Sequence, residues 1–158
     1  MAETSLGAED LRTAFNIVLA DLLEQVGASR TTLRIDLPQF SFQVDDPAGE
    51  ARMAGVRPLS GETALDQRGL NTVRWMAEHH DYLVQPSCRD ADPAPPQALI
   101  EIYGVQAQML GPIVREKELM GWVSVHENRS TRQWSEMEVS HLRQAVEKIH
   151  ALLDGAGI

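Results

Sequence analysis

Two stretches repeat apolar residues every three or four positions, and they stand at opposite ends of the chain. Leu11, Phe15, Val18, Leu19, Leu22 and Val26 mark an amphipathic helix over about Glu9 to Val26, closed by Gly27. Val139, Leu142, Val146, Ile149 and Leu153 mark a second, opened by a capping box of Ser135 and Glu138. Between them the period falls to two. TTLRIDLP (Thr31 to Pro38) and FSFQVDD (Phe40 to Asp46) alternate apolar and polar residues and predict a strand hairpin, with Pro38 at its turn or edge. Val105 to Arg115 and Leu119 to Glu127 predict another, joined by the charged turn REKE.

The middle of the chain is less regular. Pro47 to Gly69 holds Gly, Pro, Ser and Asp with weak periodicity and reads mostly as loop. Asn71 is placed to cap a helix carrying Val73, Trp75, Met76 and His79, and Tyr82 to Val84 reads as a short strand. Cys88 to Gln97, with three prolines, is a loop whose last proline starts a helix reaching about Tyr103. Strand runs flanked by helices predict an α+β fold: an antiparallel sheet of five to six strands with the two long terminal helices on one face. Short helices and loops cover the other face, and such a cover can leave a pocket. A single domain over residues 1–158 is expected, with its core at about 9–154.

Composition narrows the possible partners. With 43% apolar and 23% charged residues the chain has the make-up of a globular protein. Fourteen basic against twenty-three acidic side chains give a net charge of −9, which argues against nucleic acid and anionic membrane surfaces as partners. There is neither a signal pattern nor an apolar run near 18 residues, and the single cysteine, Cys88, has no partner for an internal disulfide; a cytoplasmic location is expected.

The segment MLGPIVREKELMGWVSVHENRSTRQWSEMEVSHLRQA (Met109 to Ala145) holds a proline-containing strand, a charged turn, a Gly-led apolar strand, a polar loop with R-x-W and an acidic helix start. It resembles the closing hairpin and last helix of the GAF family of small-molecule sensor domains, and the element order from Leu11 to Tyr103 is similar as well. The strand ending in His126 is closest to phytochrome and cyanobacteriochrome versions, where a histidine at this place lines the bilin pocket. Bilin-attaching members of that group carry a cysteine followed by histidine on a helix. Here Cys88 is followed by Arg89 in a proline-rich loop, so covalent attachment is not implied. The family's methionine sulfoxide reductases use several cysteines, and no N-K-x-n-F-x-x-x-D-E pattern of cyclic-nucleotide binding is present.

Period two puts Trp122, Ser124 and His126 on one strand face and Val123 and Val125 on the other. His126 is either a ligand contact or a polar strand end satisfied by backbone or water. Trp75, His79, Tyr82, Tyr103, Leu110 and Pro112 join it as an aromatic and aliphatic pocket lining, or else form ordinary core. In EHHD (Glu78 to Asp81) the two histidines point about 100° apart on a helix, which does not favour a metal site. Arg129, Arg132 and Trp134 read as a loop brace and Cys88 as a passive thiol. The expected function is a sensor that binds an apolar or aromatic small molecule without a further cofactor, dimerising through its terminal helices. The alternative is a small enzyme using His126 or His79 as acid or base, and a third possibility is an interaction module with a vestigial pocket.

Overall fold

Burial of the two terminal apolar stripes organises the molecule. In the computed structural model, which describes residues 7–60 and 65–158, α1 (Ala8–Val26) and α4 (Glu136–Gly155) pack on each other and on one face of a sheet. Gly27 ends α1 in the left-handed conformation (φ 67°), its N–H donating to Leu23 O at 2.8 Å, and Ser135 with Glu138 forms the capping box of α4. The sheet has five antiparallel strands in the order β2 (Gly49–Arg52), β1 (Arg30–Ile35), β5 (Glu118–Glu127), β4 (Ala107–Arg115), β3 (Leu83–Gln85). Two short helices, α2 (Asn71–His79) and α3 (Gln97–Glu101), follow β2 and β3 in the chain. The α+β fold expected from the sequence is the fold observed.

Each central strand divides its residues between two faces. Leu33 and Ile35 of β1, Met109 and Ile113 of β4, and Val123 and Val125 of β5 enter the core under the helices with Leu11, Phe15, Leu19, Leu142, Val146 and Ile149. Gly111 belongs to this face: a Cβ there would come within 2.9 Å of Val146 and of Tyr82, so α4 and Tyr82 lie directly on β4. On the opposite face the register stacks side chains into three rungs across the strands. They are Arg30, His126, Gln108 and Gln85; then Thr32, Ser124, Leu110 and Leu83; then Arg34, Trp122 and Pro112.

Three expectations need correction. Phe40 to Asp46 is not a strand, because Pro38 opens a 3-10 turn (Pro38–Phe40), Ser41 takes a left-handed conformation, and only one bridge, Leu37 to Phe42, forms. Phe42 and Val44 are nonetheless buried, so the alternation reported burial and not pairing. The partner of β1 is instead Gly49–Arg52, within the segment read as loop; it is short, and Gly49 suits the close approach of Asn16 and Leu19. Finally β3 runs from Leu83 to Gln85 and not from Tyr82 to Val84; Leu83 and Gln85 share the rungs of Leu110 and Gln108, so Tyr82 before them falls to the helix side. Smaller differences are that Leu70, not Asn71, caps α2, and that α3 ends at Glu101.

Candidate functional site

The face with three rungs is the floor of a cavity of about 60 Å³, roofed by Leu70, Thr72 and Val73 at the start of α2, by Pro96, Leu99 and Tyr103 around α3, and by Leu59, Leu65 and Gln67. The floor brings Thr32 and Arg34 of β1, Trp122, Ser124 and His126 of β5, and Gln108 and Leu110 of β4 to its surface. Five residues singled out from the sequence, Trp122, Ser124, His126, Tyr103 and Leu110, are therefore brought together. Four are not. Trp75 packs partly buried beside Val73 and Met76, and exposed His79 stacks on it at 4.4 Å while bonding back to Trp75 O. Tyr82 faces the helices, with the Arg143 guanidinium 4.3 Å from its ring centre. Pro112 is buried in the rung of Arg34 and Trp122 but does not reach the cavity wall.

The floor is unusual in its polarity. Arg30, Thr32, Arg34, Gln85, Gln108, Ser124 and His126 are all at most 5% exposed, where buried residues of these types need partners. Arg30 Nη1 donates to His126 Nδ1 at 2.9 Å, and Gln108 Nε2 donates to Gln85 Oε1 at 2.8 Å, itself donating from Nε2 to Pro93 O. Arg30 also ion-pairs with Glu50 at 3.7 Å and lies 5.8 Å from the Tyr103 ring centre. Since a guanidinium can only donate, His126 Nδ1 accepts and the ring proton sits on Nε2. Burial, then the charges of Arg30 and Arg34, hold the His126 pKa well below the usual histidine value, so the ring is neutral at physiological pH. Arg34 donates from Nη1 to Val44 O at 2.9 Å; burial lowers its pKa, and Asp46 and Asp45 oppose that through space. Two floor atoms, Thr32 Oγ1 and Arg30 Nε, are buried without a hydrogen-bond partner.

Sequence inspection did not single out Arg30, Thr32, Arg34 or Gln108. A signal for the first three was present in RTTLRI, where polar residues alternate with Thr31, Leu33 and Ile35. Alternation alone reads as a solvent-facing side, and only the insertion of β1 between β2 and β5 under a roof buries that side.

One residue beyond His126 the strand is tied to both long helices. Glu127 accepts from Ser29 Oγ, from Arg129 and from Arg132; Arg132 donates in turn to Val26 O at 2.6 Å and pairs with Glu138 of α4. Burial would raise the Glu127 pKa, but the bonds from Arg129, Ser29 and Arg132 outweigh it and hold the carboxyl at about 2. Arg132 also lies over Trp134 at 4.7 Å, so this cluster is the expected brace. Burial pushes the Cys88 thiol up to about 11, which leaves it protonated and unreactive as a nucleophile. His79 ends α2 and His80 is its left-handed cap, and among the described residues no group of three or more His, Cys, Asp or Glu is arranged to hold a metal.

A model of the GAF domain matches residues 10–151, which is most of the chain and includes every strand just described. The chain belongs to the GAF domain family. Among solved structures this GAF domain is similar to the blue-light-absorbing form of the PixJ GAF domain of Thermosynechococcus elongatus, with 15% identity, a TM-score of 0.73, and coverage of 91% of this chain and 85% of that one. It is also similar to the photoproduct state of the third GAF domain of Slr1393 from Synechocystis, with 15% identity, a TM-score of 0.68 and coverage of 90% and 92%. A third is a far-red-absorbing protein solved in its dark state with bound biliverdin IXα, at 17% identity, a TM-score of 0.72 and coverage of 94% and 92%. At these identities the likeness is one of fold. No curated protein sequence matches significantly. Among the described residues no helix is long and apolar enough to cross a membrane.

Proposed function

We propose that this GAF domain is a cytoplasmic sensor of a small molecule with an apolar body, bound between the sheet and the cover formed by α2, α3 and their loops. The observation that carries the reading is a cavity whose floor holds buried polar groups, one of them the unpartnered Thr32 hydroxyl, opposite an aliphatic roof. A packed core has no use for such a floor, because each unpartnered buried polar atom costs about 1–3 kcal/mol. The ligand is smaller than a tetrapyrrole. A cavity of about 60 Å³ lies far below the roughly 300–1,000 Å³ of ordinary ligand pockets, although one structure similar in fold holds biliverdin IXα.

The geometry favours sensing over catalysis. His126 presents an N–H to the cavity, and to act as a base it must give up the bond from Arg30; His79 stands outside the cavity. Signal leaves through the neighbour of His126, since Glu127 is held to the end of α1 and the start of α4. Exposed Ile17 on α1 and Met137 on α4 (59% and 70%) support a homodimer through the terminal helices. Native mass spectrometry of the full chain tests these points together. The expected spectrum is a dimer that retains a small molecule, lost in Ser124→Leu, which fills the cavity. A wild-type protein that carries no adduct and binds nothing from a metabolite extract would remove the sensor reading, and a monomer at micromolar concentration would remove the dimer.

A further inference from the structure

Among the described residues that line the cavity there is no aspartate or glutamate, while Arg34 brings a full positive charge to its wall at 5% exposure. Among the other polar groups at the floor, His126 donates through Nε2 and the hydroxyls of Thr32 and Ser124 can donate, while Gln108, whose Nε2 is given to Gln85, adds an amide with a carbonyl acceptor. Arg34 and Thr32 are two apart on β1 and so share a face with their side chains about 7 Å apart. A neutral apolar occupant leaves the Thr32 hydroxyl without a partner and adds nothing to Arg34, which meets Val44 O and, through space, Asp46, Asp45 and Glu50, none of them lining the cavity; a cation is repelled by Arg34. An anionic head group answers both, since a guanidinium offers forked donors to a carboxylate and a hydroxyl adds a third.

The remaining wall sets the rest of the ligand. Val73, Leu99 and Leu110 are apolar, and one arginine matches one negative charge, so a single carboxylate with an alkyl end fits better than a phosphate, which is polar on all sides. At roughly 10–15 Å³ for each water-sized occupant, the cavity holds about four to six heavy atoms. Building on the sensor reading, we propose that the cavity takes a short-chain monocarboxylate, its carboxylate on Arg34 and Thr32 and its alkyl end against Val73, Leu99 and Leu110.

The test titrates the full chain with isobutyrate, the neutral isobutyramide and inorganic phosphate, following backbone amide shifts at Ser124 and Leu110. Isobutyrate is expected to bind at least about tenfold more tightly than the amide or phosphate. Arg34→Met should abolish that preference, and Arg34→Lys should keep the sign of the preference at lower affinity. Thr32→Val gives a signature that a purely structural role does not produce. It removes a hydroxyl that has no hydrogen-bond partner within the protein, so it should leave the urea midpoint no lower while lowering isobutyrate affinity severalfold. It also keeps the test readable if Arg34→Met does not fold. Equal binding of amide and carboxylate, preference for phosphate, or silence from all three overturns the monocarboxylate. Amide binding at the same residues would leave the sensor reading intact. If all three probes are silent, that reading stands or falls separately on the mass retained in native spectrometry.

Discussion

One sheet carries two unlike surfaces. On the helix side, β1 contributes Leu33 and Ile35, which meet Leu11, Phe15, Leu142 and Val146 in a packed apolar core. On the other side the same strand contributes Arg30, Thr32 and Arg34, which are just as buried but lie under loops and short helices. The two surfaces have opposite requirements. The helix pair fills its side because regular ridges of side chains fit a twisted sheet, so every apolar atom is used for stability. The loop cover cannot fit so closely, and the space it leaves is lined by polar groups that are partnered only in part. The helix side holds the fold together, and on the reading proposed above the loop side trades some stability for a place where a ligand completes the hydrogen bonding.

A matched pair of truncations on adjacent strands should separate the two surfaces most strongly. Leu33→Ala should cost about 3 kcal/mol by urea denaturation, because it opens a cavity in the helix-side core. Ser124→Ala, equally buried, should cost less than about 0.5 kcal/mol, since its side chain already borders empty space. Similar losses from the two changes would mean that the sides are energetically alike.

A change of pH between 7 and 5.5 acts mainly on the polar side. The His126 pKa is depressed in the folded state, so below the unfolded value of about 6.5 the unfolded chain binds the extra proton. Stability should therefore be full above that value and fall as pH drops below it, at up to about 1.4 kcal/mol per pH unit. His126→Gln should flatten most of the slope between pH 7 and 5.5, leaving a smaller part from His150, whose pKa burial and Arg115 also lower. An unchanged slope in the variant would place the titrating group elsewhere.

The smallest expected effect belongs to neither side. Glu116 and Lys117, between β4 and β5, both have positive φ (53° and 68°), the conformation of a tight hairpin turn that favours glycine. Lys117→Gly should add about 0.5–1 kcal/mol to stability and leave ligand affinity unchanged, which sets the baseline for both surfaces. A change in affinity would show that the β4–β5 hairpin transmits strain to the floor.

Much of the architecture could be read from periodicity, and the failures are instructive. The long helices and the β4 and β5 hairpin carry strong, uninterrupted patterns because a whole face of each is apolar and buried. β2 has four residues and no pattern of its own; it is a strand only because β1 offers it an open edge. Phe42 and Val44 show the reverse, with alternation and burial but no pairing after Pro38. At the cavity, Trp122, Ser124 and His126 were placed on the right face because β5 is long and its phase is unambiguous. Tyr82 was misplaced because a strand of three residues has no phase to read.

By itself the sequence determined the apolar stripes of α1 and α4, the capping box at Ser135, the phase of β5, and a net charge of −9. These are local or additive properties, set by the order of residues along a helix or strand. Tertiary structure alone decided that RTTLRI lies between two strands under a roof, which brings Arg30 to His126 and leaves Thr32 without a partner. That outcome depends on contacts between residues some ninety positions apart, and on how well loops cover a sheet. A polar side chain on a strand does not reveal whether the space beside it holds water, protein or a ligand.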